Sequence, residues 1–170
     1  MQLYSTENTR TRVNFEKAVF QSLPPDSGLY MPVKIPVLDE KFIREIDQYS
    51  FREIAFQVSR HLLQGAIDDA ALQQIVHEAV SFPAPVVEVE KSVYVLELFH
   101  GPSLAFKDFG ARFMSRVMAY FLKKRNRNIR ILVATSGDTG GAGARGLHMV
   151  PGIAVTILYP SGKVSPFQEK

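Results

Sequence analysis

Lys107 stands in the run His100-Gly-Pro-Ser-Leu-Ala-Phe-Lys-Asp-Phe-Gly110, between a strand-like and a helix-like segment. An amine forms Schiff bases with carbonyl groups when its surroundings favour the neutral, nucleophilic form. The preceding residues, Ser92-Val-Tyr-Val-Leu-Glu-Leu98, are β-branched and apolar enough to predict a strand. From Asp108 on, Phe109, Arg112, Phe113, Arg116, Val117, Tyr120 and Phe121 recur at helical spacing. The lysine is therefore expected at a strand-to-helix turn, where α/β sheets present their ligand sites. The partial positive charge of a helix N-terminus disfavours a second cation, and Phe106 and Phe109 argue against full exposure. A lone lysine at such a turn is ordinarily a solvated surface charge, so the assignment needs a second motif.

Ile129-Arg-Ile-Leu-Val-Ala-Thr135 predicts a buried strand, and Ser136-Gly-Asp-Thr-Gly-Gly-Ala-Gly-Ala-Arg-Gly146 follows at once. Glycines allow a sharp bend and close approach of a backbone to a ligand. Ser136, Asp138 and Thr139 are all N-cap types, so a helix is expected to begin near Thr139. Its first amides would make an anion site, suited to a carboxylate or a phosphate. A plain strand–turn–helix connection accounts for the same residues. Gly141 to Gly146 also spells G-x-G-x-x-G, but a dinucleotide fold needs its first glycine close to the strand and an acid about 20 residues on. Here Gly141 comes several residues after Thr135, and the next strand ends in Tyr159-Pro160, so the match is accidental.

Together, Phe99 to Gly110 and Ala134-Thr-Ser-Gly-Asp-Thr-Gly140 resemble the threonine synthase family, within the pyridoxal-phosphate enzymes that include the tryptophan synthase β subunit. Pro24-Pro-Asp-Ser-Gly-Leu-Tyr-Met-Pro32, Phe82-Pro-Ala-Pro85 and Leu158-Tyr-Pro-Ser-Gly-Lys-Val-Ser-Pro-Phe-Gln-Glu169 resemble further segments of that family. The resemblance implies that Lys107 binds pyridoxal 5'-phosphate covalently and then moves protons. It implies that Ser136, Gly137, Asp138, Thr139 and Gly140 receive the substrate carboxylate. The reaction implied is conversion of O-phosphohomoserine and water to threonine and phosphate, a lyase step of threonine biosynthesis in the cytoplasm. Asp108 is expected to favour the helix N-terminus and position the turn rather than take part in chemistry. One departure stands out: where the family continues with alanines, this chain has extra glycines after Gly140, each costing a helix about 1 kcal/mol relative to alanine. The family's loop for the cofactor phosphate is implied to lie beyond Lys170, so the chain is expected to be the N-terminal part of the enzyme, inactive alone. Self-association through an incomplete sheet edge is expected with it. The reading from a different class is a non-catalytic folded fragment or interaction module.

Composition is compatible with this. Apolar residues make up 46% of the chain, too many for a disordered segment. No apolar run approaches the length of a membrane span, and no secretory pattern opens the sequence. The absence of cysteine excludes disulfides and thiolate metal sites, and the four histidines show no ligand spacing, so no metal is expected. A formal charge of +3 does not call for a nucleic-acid partner. The basic run Lys123 to Arg130 contains no aromatics and suits a solvated helix end.

The organisation expected is α/β: a helical N-terminal unit over 1–85, then over 86–170 the start of a largely parallel twisted sheet, an incomplete pyridoxal-phosphate fold type II. Helices are expected over 14–23, 39–46, 51–65 and 68–79. The third opens with the capping box Ser50-Phe-Arg-Glu53 and places Ile54, Phe56, Val58 and Leu62 on an apolar face. Pro83 and Pro85 form a stiff joint. Beyond it the pattern predicts strands over 86–89 and 92–98, a helix over 108–125, a strand over 129–135, a helix over 140–148 and a strand over 153–158.

Overall fold

The computed structural model describes residues 1–135, 137–148 and 150–166, without the side chain of 138. It divides into two compact units, Met1–His77 and Glu78–Lys170.

The first unit begins with a small antiparallel sheet that the proline-rich sequence did not announce. Strands β1 (Gln2–Ser5), β2 (Arg12–Asn14) and β3 (Tyr30–Pro32) pair in the order β2-β1-β3, with Leu3 opposite both Val13 and Pro32. Pro32 is tolerated because β3 is an edge strand. Leu3, Val13 and Ala18 form the buried core of this sheet, covered by Met1, Phe15 and Tyr30. Asp26 locks the turn before β3, accepting the buried Ser5 hydroxyl at 2.7 Å and the Gly28 amide at 3.2 Å.

Helices follow as their caps predict. Helix α1 (Phe15–Gln21) is capped by Asn14 and α2 (Glu40–Arg44) by Asp39, each side chain accepting a first-turn amide. After a single 3-10 turn (Ile46–Gln48), α3 (Phe51–Leu63) opens on the expected box: Ser50 Oγ accepts the Glu53 amide, and Glu53 accepts the Ser50 amide. Hydrogen bonding of the Glu53 carboxyl to the Ser50 side chain first, and then to the Ser50 backbone amide, holds that carboxyl below its usual range. The apolar face differs by one position, since Leu63 is buried and Leu62 is exposed. Helix α4 (Asp69–Ala79) contributes Leu72, Ile75, Val76 and Ala79 to buried positions.

The second unit is α/β. Strands β4 (Val86–Glu90) and β5 (Val93–Leu96) form a hairpin, antiparallel rather than part of a parallel sheet. Only Lys91 and Ser92 separate them, and a parallel pair needs a crossover of a dozen residues or more. Helix α5 (Lys107–Arg125) and strand β6 (Ile129–Ala134) lead to α6 (Asp138–Leu147) and β7 (Ile153–Leu158). The pair β6–β7 is parallel, in register from Ile129 opposite Ile153 to Ala134 opposite Leu158, with α6 as the crossover. Along both strands half-buried residues alternate with exposed ones, as a sheet covered on one face requires.

Helix α6 packs along α5 at a close approach. A Cβ built on Gly146 would lie 3.0 Å from the backbone of Ala111, so only glycine fits without a shift. Gly143 differs: a Cβ there would meet Val133 Cγ2 at 3.8 Å, an ordinary contact. The two glycines should therefore respond oppositely. In urea unfolding of this chain, Gly143→Ala is expected to gain about 0.5–1 kcal/mol from helix propensity. Gly146→Ala is expected to lose about 1–3 kcal/mol through overpacking. Equal shifts for the two would refute the close approach.

Candidate active site

Ten residues, 97–106, join β5 to α5, and Lys107 is the first residue of that helix. Its side chain is half-buried, with Nζ 4.6 Å from the centroid of the exposed Phe106 ring. The turn around it is built on Asp108, which is only 1% exposed. Ser103 donates to both carboxylate oxygens, its amide to Oδ2 at 2.8 Å and its hydroxyl to Oδ1 at 2.7 Å. Gly101 lies against the same carboxylate: a Cβ there would overlap Asp108 and come within 2.8 Å of Phe82. The Phe82 ring in turn packs on Phe109, centroids 4.3 Å apart. Leu104 takes a left-handed φ of 58°, which is unfavourable for a leucine and persists because these bonds fix the turn around it.

A second brace lies one and two turns along α5. Arg112 Nη2 donates to the Glu78 carbonyl at 2.7 Å and to Ser81 Oγ at 3.0 Å. Arg116 pairs with the Glu78 carboxylate at 3.2 Å and donates through Nη1 to the Gly146 carbonyl at 2.9 Å. A cation there suits the C-terminal end of α6. Burial first, and then Arg116, lower the Arg112 guanidinium below its ordinary pKa, against the opposing pull of Asp108 and Glu78. Arg112 Nε is buried with no hydrogen-bond partner among the described residues.

The glycine motif sits at the start of α6. Gly137 is its N-cap, and Asp138, Thr139 and Gly140 are its first three residues, one position earlier than the sequence predicts. Ser136 and the Asp138 side chain lie outside the described residues. The N-cap Gly137 has no side chain to cap with, and Thr135, at the end of β6, supplies a hydroxyl to the helix start. Thr135 Oγ1 accepts the amides of Gly137 at 3.1 Å and Gly140 at 3.0 Å, and donates to the Gly137 carbonyl at 3.3 Å. That carbonyl also accepts from Gly140 and Gly141. Gly140 is obligatory, because a Cβ would overlap the Thr135 side chain.

The two motifs meet at Ser103. A Cβ on Gly141 would touch Ser103 Cβ at 3.9 Å, which puts the first turn of α6 beside the turn that carries Lys107. Sequence reasoning singled out Lys107 and the loop but passed over Ser103 and Thr135. Both are hydroxyl residues just before a helix start, the one available signal for a side chain that closes a turn. Among the described residues no group of histidines and acids could hold a metal, and no helix is long and apolar enough to cross a membrane. Removing the buried carboxylate should be costly. Asp108→Ala leaves the Ser103 amide and hydroxyl without their acceptor and is expected to destabilise the chain by about 1–3 kcal/mol in denaturant unfolding. No change in the midpoint would contradict the role assigned to this carboxylate.

Comparison with known proteins gives these elements a context. The threonine synthase N terminus family matches residues 2–80. Threonine synthase of Haemophilus influenzae is 44% identical over all 170 residues, which cover 39% of its length. The crystal structure of threonine synthase from Escherichia coli aligns with 99% of this chain and 39% of its own, at 40% identity and a TM-score of 0.90. The structure of threonine synthase with bound pyridoxal phosphate from Brucella melitensis aligns with 99% of this chain and 38% of its own, at 36% identity and a TM-score of 0.93. The chain thus spans about two-fifths of the length of these relatives. In sequence and in fold, it matches the N-terminal part of threonine synthases from one end to the other.

Proposed function

We propose that this chain supplies the cofactor lysine and the substrate-carboxylate loop of a cytoplasmic threonine synthase, a lyase that converts O-phosphohomoserine and water to threonine and phosphate. The observation that carries the reading is the meeting of the two motifs, with Ser103 of the Lys107 turn against Gly141 of the loop helix. Lys107 suits pyridoxal phosphate: the residue is half-buried, its amine lies over the Phe106 ring, and its turn is held by a buried carboxylate. Bound there, the cofactor supplies an electron sink for carbanion chemistry.

The chain's own groups do the rest. Lys107 Nζ holds the cofactor and carries protons to and from the substrate's carbons. Asp108 stays out of the chemistry, since both its oxygens are occupied by Ser103; it fixes the direction from which Lys107 enters the site. At the loop, the Gly137, Gly140 and Gly141 amides are committed to Thr135 and Gly137. The carboxylate is therefore assigned to the remaining groups of Ser136–Gly140: the amides of Asp138 and Thr139 and the hydroxyls of Ser136 and the exposed Thr139. The helix N-terminus favours that anion.

The direct test is a fusion in which this chain precedes the C-terminal part of the Escherichia coli relative. With pyridoxal phosphate it is expected to form threonine from O-phosphohomoserine, and Lys107→Ala is expected to abolish turnover. Persistent turnover in Lys107→Ala would move the role to another lysine. Residues 1–170 alone are expected to bind the cofactor weakly and to form no threonine, because the resemblance assigns the cofactor phosphate to a loop beyond Lys170.

A further inference from the structure

The residue that shapes the carboxylate loop lies outside it. Thr135 is anchored at the end of β6, where its amide donates to the Leu158 carbonyl of the neighbouring strand at 2.9 Å. From that fixed point its hydroxyl engages three loop groups: it accepts from the Gly137 and Gly140 amides and donates to the Gly137 carbonyl. A threonine hydroxyl offers one donor and two acceptor sites, so Thr135 Oγ1 is saturated. Gly140 completes the arrangement, because no other residue leaves space for the Thr135 methyl and hydroxyl beneath the helix start.

We infer that Thr135 is a positioning residue for the substrate carboxylate, holding the loop amides on either side of Asp138 and Thr139 inward. With Gly137 and Gly140 bonded to one oxygen, the backbone between them is pinned at both ends. The amides of Asp138 and Thr139 are not committed to that oxygen, and the anion is assigned to them. Thr135 touches neither substrate nor cofactor in this account. It acts through the loop, and its loss loosens the binding of a carboxylate rather than the chemistry at Lys107. The sheet register transmits the constraint, since the β6–β7 pairing of Ala134 with Leu158 sets where Thr135 sits.

Two measurements test this, and only one rests on the function proposed above. In the first, amide hydrogen exchange is followed in the fusion protein. Thr135→Val, nearly isosteric, is expected to strip protection from the Gly137 amide and to lower it at Gly140, whose amide also reaches the Gly137 carbonyl, and Thr135→Ser to retain both. In the second, steady-state kinetics with O-phosphohomoserine are expected to show KM raised about tenfold in Thr135→Val, with kcat changed less than about threefold, the pattern of lost ground-state binding. Thr135→Ser restores both constants. Unchanged exchange at Gly137 and Gly140 in Thr135→Val overturns the inference whatever the substrate is. An unchanged KM, or a fall in kcat alone, overturns the assignment to the carboxylate while leaving the loop geometry standing. If Thr135→Val does not fold, Thr135→Ser decides: it must keep both amides protected and KM at the parent value, and loss of either overturns the inference. Turnover in Lys107→Ala would instead count against the proposed function, a separate result.

Discussion

The site depends on one buried carboxylate. Asp108 lies at the first turn of α5 with both oxygens bonded to Ser103, and the turn carrying Lys107 is wound around that pair. A buried carboxylate is expensive to desolvate, and here two donors and the N-terminus of α5 offset the cost. The same bonds offset the left-handed Leu104 and exclude any side chain at Gly101. A lysine at the head of a 19-residue helix would otherwise have a mobile stem. With Asp108 fixed, the backbone from which its amine projects is fixed too.

The second constraint is how closely α6 approaches α5. Gly146 lets the two helix backbones come together at Ala111, and Arg116 bonds the Gly146 carbonyl from the α5 side. This contact at the far end of α6 leaves its near end beside Ser103. Two of the glycines that weaken α6 as an isolated helix thus have separate uses: Gly140 accommodates Thr135 and Gly146 accommodates Ala111. A Cβ at Gly141 or Gly143 would make only an ordinary contact, with Ser103 or Val133, and the structure gives no reason for glycine at either.

Local patterns were the legible part of the sequence. The capping box at Ser50, the helical spacing after Asp108 and the β6–α6–β7 alternation each rest on a few adjacent residues, and the elements appear within a residue or two of their expected ends. What depends on partners distant in sequence was not legible. The β1–β2–β3 sheet pairs three strands of three or four residues, too short for a period to show. The β4–β5 hairpin was read as the start of a parallel sheet because strand composition carries no direction; the two-residue connection did carry it. At the site, Lys107 and the glycine loop stood out by type and context. Ser103 and Thr135 did not, because a hydroxyl that closes a turn looks like any other until its acceptors and donors are placed.

In the proposed function, the amine on the Asp108-braced turn is the one that meets the cofactor. Borohydride reduction of the fusion protein with pyridoxal phosphate, followed by peptide mapping by mass spectrometry, tests it most directly. A single pyridoxyl group is expected, on the peptide containing Lys107. A pyridoxyl group on Lys123, Lys124 or Lys163 with Lys107 unmodified would contradict it.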